Sequence, residues 1–451
     1  MSTETQEFAK PISSLSAPLG GSESMDKHPK PFEPRMLPDL SEIFERETHA
    51  SLLFDDHPNG KCLLAIGAKR SFTWSGEGPE CLDAWNSFLK PAGHATWAFG
   101  WLGYDLKNGI ENLESQRLDN AQFPTLNWVE PRVVIEWGGA EQKARIVHGS
   151  DENDADTLLH QVEVPLSAIP EAPGIALKPR WDEATYLQRA RRVKKHIQRG
   201  DVYELNLCQE WTGEKQLDSV WDSFVRLQHF TQSPYSALVK AGEFHVVSGS
   251  PELFLDKRGK TLTSSPIKGT IARGTSEAED QALAEELFTD PKERGENVMI
   301  CDLVRNDLSR IAEPGTVRVP ELFGIHRFQS VHQMISTVQC EVRAECEPAD
   351  IIRATFPMGS MTGAPKVRAM ELIDELEGCK RGVYSGSIGY FQPNGDFSLN
   401  VVIRSLLYNA ISQQISMHVG GAITSLSIPE KEYQECLLKA EAMLKTLQKN
   451  A

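Results

Sequence analysis

Short apolar runs that end close to glycines fill residues 36–147, whereas apolar residues spaced as in a helix begin only after Trp181. The runs at 62–66, 132–136 and 144–148 are each followed by a glycine within a few residues. Runs of this length, bounded by turn residues, are typical of strands joined in hairpins. The first third of the chain is therefore predicted to form strands and hairpins.

Beyond Trp181, helices and strands are predicted in mixed order. Apolar residues recur at helical spacing from Tyr186 to Gly200, and further helices are predicted to begin near Pro291, at Pro365 and near Glu430. The strand-like stretches between them are 244–248, 253–256, 387–391, 401–407 and 415–419. Because the two kinds of element do not alternate strictly, a doubly wound parallel sheet is disfavoured. An α+β fold with antiparallel sheets is predicted instead.

Composition divides the chain into four parts. Residues 1–34 are rich in Ser, Pro, Gly and Lys and are expected to be a flexible arm, while 35–150 form an N-terminal lobe. Residues 151–180 combine an acidic cluster with spaced prolines, which is typical of a connection between two lobes. Residues 181–451 form the second lobe, which carries the candidate functional residues.

The charge balance excludes some partners. There are 63 Asp and Glu against 47 Lys and Arg, a formal net charge of −16. Nucleic acids and anionic membranes require a prominent basic face, so neither is expected as a partner. No apolar run is long enough for a membrane span, and no signal peptide is predicted. The eight cysteines show no zinc-site spacing and are expected to be reduced thiols of a cytoplasmic protein.

A lysine in a stiff turn and a glutamate before a strand are the first candidates for chemistry. Lys268 lies between Pro266, which stiffens the chain, and Gly269, which permits an unusual φ or a close approach. A lysine held in this way is a nucleophile if burial or a neighbouring cation lowers its pKa. Glu252 follows a turn at the mouth of a predicted strand. Taken alone, both residues are better interpreted as facing solvent.

Two glutamates on separate predicted helices are candidate metal ligands. Glu296 lies on the helix that begins near Pro291, and Glu435 lies on the last predicted helix. If both face one cleft, they suit Mg²⁺, which takes one or two carboxylates, several waters and an anionic substrate. The alternative is that Glu296 is a solvated acid and that Glu435 forms an ordinary helical pair with Lys439, four residues further on.

Several weaker signals point to an anion-binding pocket. Thr362 is predicted to cap the helix that starts at Pro365, which leaves free backbone N–H groups as an anion site with Lys366 beside it. The pair 420–421 offers a second place where backbone can approach a carboxylate, and Arg404 offers a bidentate fork on a predicted strand. Together these residues predict a pocket for a polyanionic small molecule and a divalent metal ion.

The order of these segments resembles the chorismate-utilising enzymes, which include anthranilate synthase component I, aminodeoxychorismate synthase component I, and the isochorismate and salicylate synthases. The resemblance is dense from about 182 to 447 and thinner over 36–147, where 100–105 is similar to part of their N-terminal lobe. It implies a sandwich core of antiparallel sheets flanked by helices, with 181–451 as the chorismate-binding catalytic domain. The segments that carry it are 200–206, 250–252, 266–270, 296–307, 359–366, 386–390, 403–404, 420–421 and 432–435.

Lys268 separates the branches of this family. The anthranilate and isochorismate enzymes usually carry alanine in the matching Pro-Ile-x-Gly-Thr segment, whereas aminodeoxychorismate synthases carry lysine, so the chain resembles the latter. The resemblance implies that Lys268 is a nucleophile and Glu252 a general acid/base. The amine must be neutral to attack, so we expect the pocket to lower its pKa, with Lys366 as a candidate neighbouring cation.

The resemblance also implies a cofactor, a substrate and a partner. Glu296 and Glu435 match Mg²⁺ ligands, and chorismate and ammonia are the expected substrates. No glutaminase nucleophile turn is present, so ammonia is expected from a separate glutamine amidotransferase subunit in a heterodimer, on the route to p-aminobenzoate and folate. The positions that match substrate contacts are Thr362, Tyr384, Arg404, Gly420, Gly421 and Ala422.

Three positions depart from the family pattern, and they leave two alternatives open. Gln333 stands where a histidine is frequent, Glu204 replaces a common glutamine, and Ala422 replaces the third glycine of a Gly-Gly-Gly turn. One alternative is anthranilate synthase component I, which shares the scaffold. The other is a subunit that binds the metabolite without catalysis.

Overall fold

The computed structural model of the chain describes residues 37–449, apart from 56–59, 91–92, 94, 139–142, 150–154 and 329–330. For residues 155 and 156 only the backbone is described. The predicted arm at 1–34 lies outside the described residues. Within the described part of the chain, every helix is too short or too polar to cross a lipid bilayer.

The first of two sheets has eleven strands, and all its pairings are antiparallel. The order of its neighbours is β17-β9-β21-β20-β11-β10-β1-β2-β6-β7, with β8 beside β9. The strands are β1 (His49–Asp55), β2 (Lys61–Ile66), β6 (Val133–Gly138), β7 (Arg145–His148), β8 (Lys178–Pro179), β9 (Glu204–Glu214), β10 (Ala237–Ala241), β11 (Phe244–Ser248), β17 (Gly363–Ala364), β20 (Ser405–Asn409) and β21 (Gln414–Ile423).

The second sheet has ten strands and is also antiparallel throughout. Its order is β14-β16-β13-β12-β19-β18-β4-β5-β3, with β15 beside β16. The strands are β3 (Arg70–Trp74), β4 (Ala98–Leu102), β5 (Leu126–Glu130), β12 (Leu253–Arg258), β13 (Thr261–Ser265), β14 (Ile267–Ala272), β15 (Arg318–Arg327), β16 (Val331–Glu341), β18 (Ser387–Phe391) and β19 (Phe397–Asn400).

The described residues form eleven α-helices, and short 3₁₀ turns occur at Tyr104–Leu106 and Gly359–Met361. The α-helices are α1 (Ser41–Arg46), α2 (Cys81–Leu89), α3 (Lys107–Glu111), α4 (Ala155–Gln161), α5 (Glu183–Gln198), α6 (Val220–Thr231), α7 (Glu277–Thr289), α8 (Pro291–Ser309), α9 (Pro348–Thr355), α10 (Lys366–Glu377) and α11 (Pro429–Leu447).

The sheets pack face to face, and helices cover their outer faces. Leu63 and Val246 of the first sheet share one apolar cluster with Trp101 and Ile388 of the second sheet. A second cluster joins the first sheet to α5, α6, α10 and α11, and a third joins the second sheet to α2, α8 and α9. This confirms the predicted α+β sandwich with antiparallel sheets and flanking helices.

The predicted helices near Tyr186, Pro291, Pro365 and Glu430 are confirmed as α5, α8, α10 and α11. The strands predicted at 244–248 and 387–391 are also confirmed with the same bounds. The strand predicted at 401–407 is wrong over 401–404, because β20 begins only at Ser405. The chain leaves the second sheet after Asn400 and enters the first at Ser405, so the intervening residues cross between the sheets, and Arg404 has a positive φ of 53° that a strand does not allow.

Both predicted lobes contribute strands to each sheet, and the N-terminal strands form one continuous block at one end of it. In the first sheet β1 pairs with β10, and in the second sheet β4 pairs with β18. Hydrogen-bonded strand pairs therefore join the two predicted lobes. The division at residues 150 and 180 stays a prediction.

Candidate active site

Lys268 lies on β14 at an irregular point of its ladder. The register between β14 and β16 shifts between Ile267 and Thr270, where Gly269 has a φ of 91°. This left-handed backbone conformation is favourable for glycine and strained for other residue types. The irregularity takes Lys268 out of the regular ladder, and its side chain lines a cavity between the two sheets.

The amine of Lys268 is paired with a carboxylate. Its Nζ donates to Glu204 Oε1 at 2.6 Å, and the two side chains are only 10% and 1% exposed. Burial lowers the pKa of Lys268, but Glu204, Glu296 and Glu252 together raise it above its usual value. The expectation of a lowered pKa is therefore wrong for the site without substrate or metal. Its physical reason is that the neighbouring groups are carboxylates and not the expected cation, Lys366.

Glu252 lies beside the same cavity, just before β12. Its residue is 5% exposed, and Ser360 Oγ donates to its Oε1 at 2.7 Å. Burial raises the pKa of Glu252 to about 7, while the hydrogen bond from Ser360 opposes that rise. A carboxyl with this pKa holds its proton for much of the time near neutral pH, which is what a general acid requires.

An inner cavity of about 120 Å³ brings seven of the predicted site residues together. Asn206, Gln333 and Ser360 lie in the same wall. Among the described residues, none accepts a hydrogen bond from the Arg404 guanidinium, which is therefore available to a carboxylate. The seven residues are Glu252, Lys268, Tyr384, Arg404, Gly420, Gly421 and Ala422.

The cavity wall opposite Lys268 comes from β21. Gly420 is paired with Cys208 of β9, and its carbonyl accepts a hydrogen bond of 3.1 Å from Lys439. A Cβ on Gly420 would lie 2.2 Å from the carbonyl oxygen of Leu207, so only glycine allows this approach. Tyr384 lies nearby, with its ring stacked on His418 at 5.0 Å.

An outer cavity of about 540 Å³ adjoins the inner one, since Lys268, Arg404 and Ala422 line both. Glu296 of α8 and Glu435 of α11 lie in its wall, which places the two predicted metal ligands on one cleft. Burial raises the pKa of Glu296 to about 7, whereas Lys439, paired at 2.7 Å, lowers the pKa of Glu435.

The outer cavity already holds a cationic group among its carboxylates. Lys292 Nζ lies 3.5 Å from Glu296 Oε1 and 3.6 Å from oxygens of both Glu293 and Glu432. Among the described residues, no three His, Cys, Asp or Glu side chains form a closed metal cage. The residues fit an open site for a hard divalent cation such as Mg²⁺, which keeps several waters and substrate oxygens.

Thr362 and Lys366 line neither cavity. Thr362 is fully buried, and its hydroxyl donates to carbonyls of the preceding turn, so the prediction that it caps α10 is wrong. The N-cap is Pro365, which has no side-chain acceptor. Lys366 Nζ pairs with Asp307 at 2.5 Å and also donates to the Thr355 carbonyl, so its charge is neutralised outside the cavities.

The three departures from the family pattern all contact the site. Gln333 and Ala422 line the inner cavity, and Glu204 is the partner of Lys268. Gln333 Oε1 is buried and accepts no hydrogen bond from a described residue. His332, next to Gln333, lies away from the cavity and pairs with Asp280 at 2.8 Å.

Sequence reasoning assigned no role at the site to several polar residues that line it. Lys292 was detectable, because it stands four positions before Glu296 on one helix, the spacing of a helical ion pair. Glu432 and Ser360 lie inside segments that carry the family resemblance, but nothing local marks them as neighbours of Glu296 or Glu252. Lys439 was considered only as the partner of Glu435, although it also contacts the β21 backbone.

The family model for chorismate binding enzymes matches residues 50–445. The chain belongs to this family. It is 37% identical over 365 residues to "Aminodeoxychorismate synthase component 1" of Bacillus subtilis, covering 78% of this chain and 77% of that protein. It is 32% identical over 468 residues to the "Anthranilate synthase component I-like protein" of Synechocystis, covering 95% and 96%.

The fold of this chorismate-binding enzyme is that of solved members. The crystal structure of anthranilate synthase component I from Streptococcus pneumoniae superposes with a TM-score of 0.72 at 24% identity. The match covers 97% of this chain and 100% of that one. The predicted family and fold are thereby confirmed, and chorismate is the substrate class that the family implies for the cavity beside Lys268.

Proposed function

We propose that the chain is aminodeoxychorismate synthase component I, which converts chorismate and ammonia to 4-amino-4-deoxychorismate and water. The observation that carries the proposal is a buried lysine beside a carboxyl of pKa about 7 in one cavity. Relatives named aminodeoxychorismate synthase, at 36–37% identity, support it.

The first step replaces the C4 hydroxyl by a bond to the enzyme. The neutral Lys268 amine attacks C2, the two conjugated ring double bonds shift toward C4, and the C4 oxygen leaves. Glu252, in its protonated form, gives that oxygen a proton, so water departs and Glu252 becomes a carboxylate. The lysine nitrogen remains bonded to C2 as a secondary ammonium.

The second step restores the lysine. Ammonia attacks C4, both ring double bonds shift back, and the C2–N bond breaks so that Lys268 leaves as a neutral amine. The new C4 ammonium group passes one proton to the Glu252 carboxylate. Chorismate and ammonia have then given aminodeoxychorismate and water, and both side chains are back in their starting forms.

The remaining polar groups orient the dicarboxylate. Arg404 offers an unpaired guanidinium to one carboxylate, and the β21 backbone at Gly420 and Gly421 allows a close approach. We propose Mg²⁺ as the cofactor, held by Glu296 and Glu435. When bound, it neutralises charge on the ring carboxylate next to these acids.

We propose a separate glutamine amidotransferase subunit as the source of ammonia, so that the working enzyme is a heterodimer in p-aminobenzoate and folate synthesis. The purified chain should then turn over chorismate with ammonium at alkaline pH, because NH₃ is the nucleophile. Glutamine alone should give no turnover, and glutamine-dependent product from the pure chain would contradict this arrangement. All eight cysteines are free, which supports the cytoplasm as the proposed location.

The decisive experiment is intact-mass spectrometry of the chain with chorismate and Mg²⁺ but no ammonia. We expect a chorismate-derived adduct on the peptide that contains Lys268, and no adduct in Lys268→Ala. Lys257→Ala is the matched control, because Lys257 lies on β12 outside both cavities and donates to the Gly395 carbonyl. Unchanged aminodeoxychorismate formation by Lys268→Ala would overturn the proposal.

The second candidate is anthranilate synthase component I, because some relatives carry anthranilate synthase names. The same reaction mixture with ammonium distinguishes the two. Aminodeoxychorismate supports the first proposal, whereas anthranilate formed without a lyase supports the second. A chain that binds chorismate and forms neither product would act as a metabolite-binding subunit.

A further inference from the structure

Glu204 is fixed by the backbone on both sides. It opens β9, where it is paired with Ala364 of β17, and the next residues pair with β21. Tyr203 N donates to the Ala364 carbonyl at 2.7 Å, and Asn206 N donates to the Thr362 carbonyl at 2.9 Å. The Glu204 side chain therefore projects from a rigid point.

The contact between Glu204 and Lys268 is short and isolated. Glu204 is fully buried, and Oε1 accepts from Lys268 Nζ at 2.6 Å. Glu204 Oε2 is buried and accepts no hydrogen bond from a described residue. Among the described residues, Glu204 is the one carboxylate within 4.0 Å of Lys268 Nζ. Among the described side chains, the only hydrogen bond of the Lys268 amine or the Glu204 carboxylate is thus with the other.

Charged groups from every neighbouring element face this pair. Burial lowers the pKa of Lys268, and among the neighbours Glu204 raises it most, ahead of Glu296 and Glu252. Cations also line the cavities, but each of the three other lysines there has its own carboxylate. The groups that face Lys268 are Glu204 from β9, Glu252 before β12, Lys292, Glu293 and Glu296 from α8, Arg404 before β20, and Glu435 and Lys439 from α11.

We propose that Glu204 is a positioning residue that holds Lys268 as an ammonium ion in the resting enzyme and thereby sets the pH range in which the amine becomes a nucleophile. The inference deepens the proposed function and rests on it where Lys268 is called a nucleophile. Before the attack, one ammonium proton passes to Glu204 Oε1, which is already in hydrogen-bond contact, so the net charge of the pair stays at zero in this transfer. Glu204 returns the proton after Lys268 has left as a neutral amine.

The proposal fixes the sign of a pH effect. A carboxylate beside an ammonium favours the protonated lysine, so less neutral amine is present at a given pH. Glu204→Gln keeps the shape and an acceptor oxygen but removes the charge. The pKa of Lys268 should then fall, so that the neutral amine appears at lower pH. At a pH below the pKa, each unit of decrease raises the neutral fraction about tenfold.

The test measures the reactivity of Lys268 directly. The full chain is labelled with acetic anhydride over a range of pH, and the acetylated Lys268 peptide is quantified by mass spectrometry. In Glu204→Gln, we expect the ascending limb of Lys268 labelling to move to lower pH, by about one unit or more. In Glu204→Asp, which keeps the charge, the pH at which Lys268 labelling rises should return toward the wild-type value.

Glu210→Gln is the matched control, because Glu210 is a buried glutamate of the same strand that pairs with Arg180 at 3.4 Å, outside both cavities. Its labelling limb should coincide with that of the wild type. A limb that stays in place in Glu204→Gln, or moves to higher pH, overturns the proposal.

Adduct formation with chorismate separates this inference from the proposed function. Its ascending limb should move to lower pH together with the labelling limb. If labelling shifts but the wild type forms no chorismate adduct, the proposed function fails and the role of Glu204 stands. If the adduct forms and neither limb moves, the role of Glu204 fails alone.

Discussion

Glu252 and Glu296 stand on different sides of Lys268, and burial raises the pKa of each to about 7. Their neighbours nevertheless differ. Glu252 accepts a hydrogen bond from the neutral Ser360 hydroxyl, whereas Glu296 lies 3.5 Å from the Lys292 ammonium. The first environment suits a group that gives up and regains a proton, and the second suits a carboxylate that receives a cation.

Removal of the Ser360 hydroxyl should move the alkaline side of the pH profile. The hydrogen bond favours the carboxylate form of Glu252, so in Ser360→Ala its pKa should rise further above 7. The acid is active when protonated, and its step slows as pH rises through that pKa. The descending limb of adduct formation should therefore move to higher pH. Ser387→Ala, which removes a buried hydroxyl bonded to the Asn400 carbonyl, is the control. A limb that moves to lower pH would contradict this assignment.

Lys292 should compete with a divalent cation for the same carboxylates. In Lys292→Met the repulsion among Glu293, Glu296 and Glu432 is no longer offset, so the melting temperature without metal should fall. Added Mg²⁺ should then raise the melting temperature by more than it does in the wild type, since ligand binding stabilises the folded state. Differential scanning fluorimetry measures both effects.

The control for this variant is Lys445→Met. Lys445 lines the same cavity but pairs with Glu441, and both are half exposed. Its response to Mg²⁺ should equal that of the wild type. An equal Mg²⁺ response in Lys292→Met would show that this lysine does not occupy the cation position.

At this scale, the sequence predicts only contacts that are local. The pair of Glu435 with Lys439 lies within one helix, so its spacing predicts it. The pair of Lys268 with Glu204 joins residues 64 positions apart, and that of Lys366 with Asp307 spans 59. Their formation depends on how strands and helices pack. For this reason the sequence predicts the pKa shift of Lys268 in the wrong direction.

Strands β9 and β21 form the longest ladder beside the site, and the two glycines of β21 face opposite ways. A Cβ on Gly420 would come within 2.2 Å of the Leu207 carbonyl oxygen and 2.7 Å of Cys208 Cα. A Cβ on Gly421 would be no closer than 3.7 Å to any atom, with Glu432, Glu435 and Lys439 as its neighbours. Successive strand residues alternate between faces, so one glycine serves packing and the other the cavity.

Alanine at these two positions should have separate effects. Gly420→Ala should destabilise the fold by about 1–3 kcal/mol, the usual cost of overpacking, because the obstructing atoms are backbone. Gly421→Ala should leave stability unchanged and weaken chorismate binding roughly tenfold, or about 1.4 kcal/mol. Urea unfolding and equilibrium binding measure the two quantities. Loss of stability in Gly421→Ala, with Gly420→Ala unaffected, would contradict this distinction.

A buried ion pair joins the end of α10 to β9. Arg381 Nη2 donates to Glu377 at 2.6 Å and to the Asn206 carbonyl at 2.9 Å, while Glu377 accepts from Cys208 N at 2.8 Å. Both side chains are about 1% exposed. The pair thus fixes the strand that carries Asn206 and Glu204 beside the cavity.

Arg381→Met should leave Glu377 as an unpaired buried charge, which costs about 3–5 kcal/mol of unfolding free energy. The control is Arg192→Met, which breaks the exposed pair with Glu375 and should cost at most about 1 kcal/mol. Urea denaturation followed by tryptophan fluorescence compares them. Equal costs in the two variants would refute a structural role for the buried pair.

The sequence predicts elements well where one face is buried and poorly where the chain changes sheets. Helices α5 and α11 have apolar residues at regular helical spacing, and their starts were predicted within a few residues. Residues 401–403 are apolar and lie where the chain crosses between the sheets, so they have the composition of a strand without the conformation of one. The positive φ of Arg404 has no signature in composition.

At the scale of the whole molecule, the N-terminal strands complete sheets that the later strands begin. Strand β1 covers one edge of β10, and β4 covers one edge of β18. The apolar layer between the sheets draws on both halves of the chain. The two predicted lobes therefore share a single folding unit.

A fragment of residues 181–451 should not fold by itself. Without β1 and β4, the edges of β10 and β18 are left unpaired, and residues such as Val246 and Ile388 lose half of their apolar layer. We expect no cooperative transition in calorimetry and a strong tendency to aggregate, whereas the full chain should unfold in one main transition. A fragment with a sharp transition and intact chorismate binding would show that the lobes fold independently.

The walls of the two cavities are drawn from residues between Asn206 and Lys445, with α11 closing the outer one. During translation, Lys268 leaves the ribosome on the order of ten seconds or more before Glu432 and Glu435 are made. A nascent chain therefore carries Lys268 before it has Glu432, Glu435 and the β21 backbone that complete the cavity walls. If Lys268 is the nucleophile that we propose, an unfinished or prematurely stopped chain should therefore escape alkylation by chorismate.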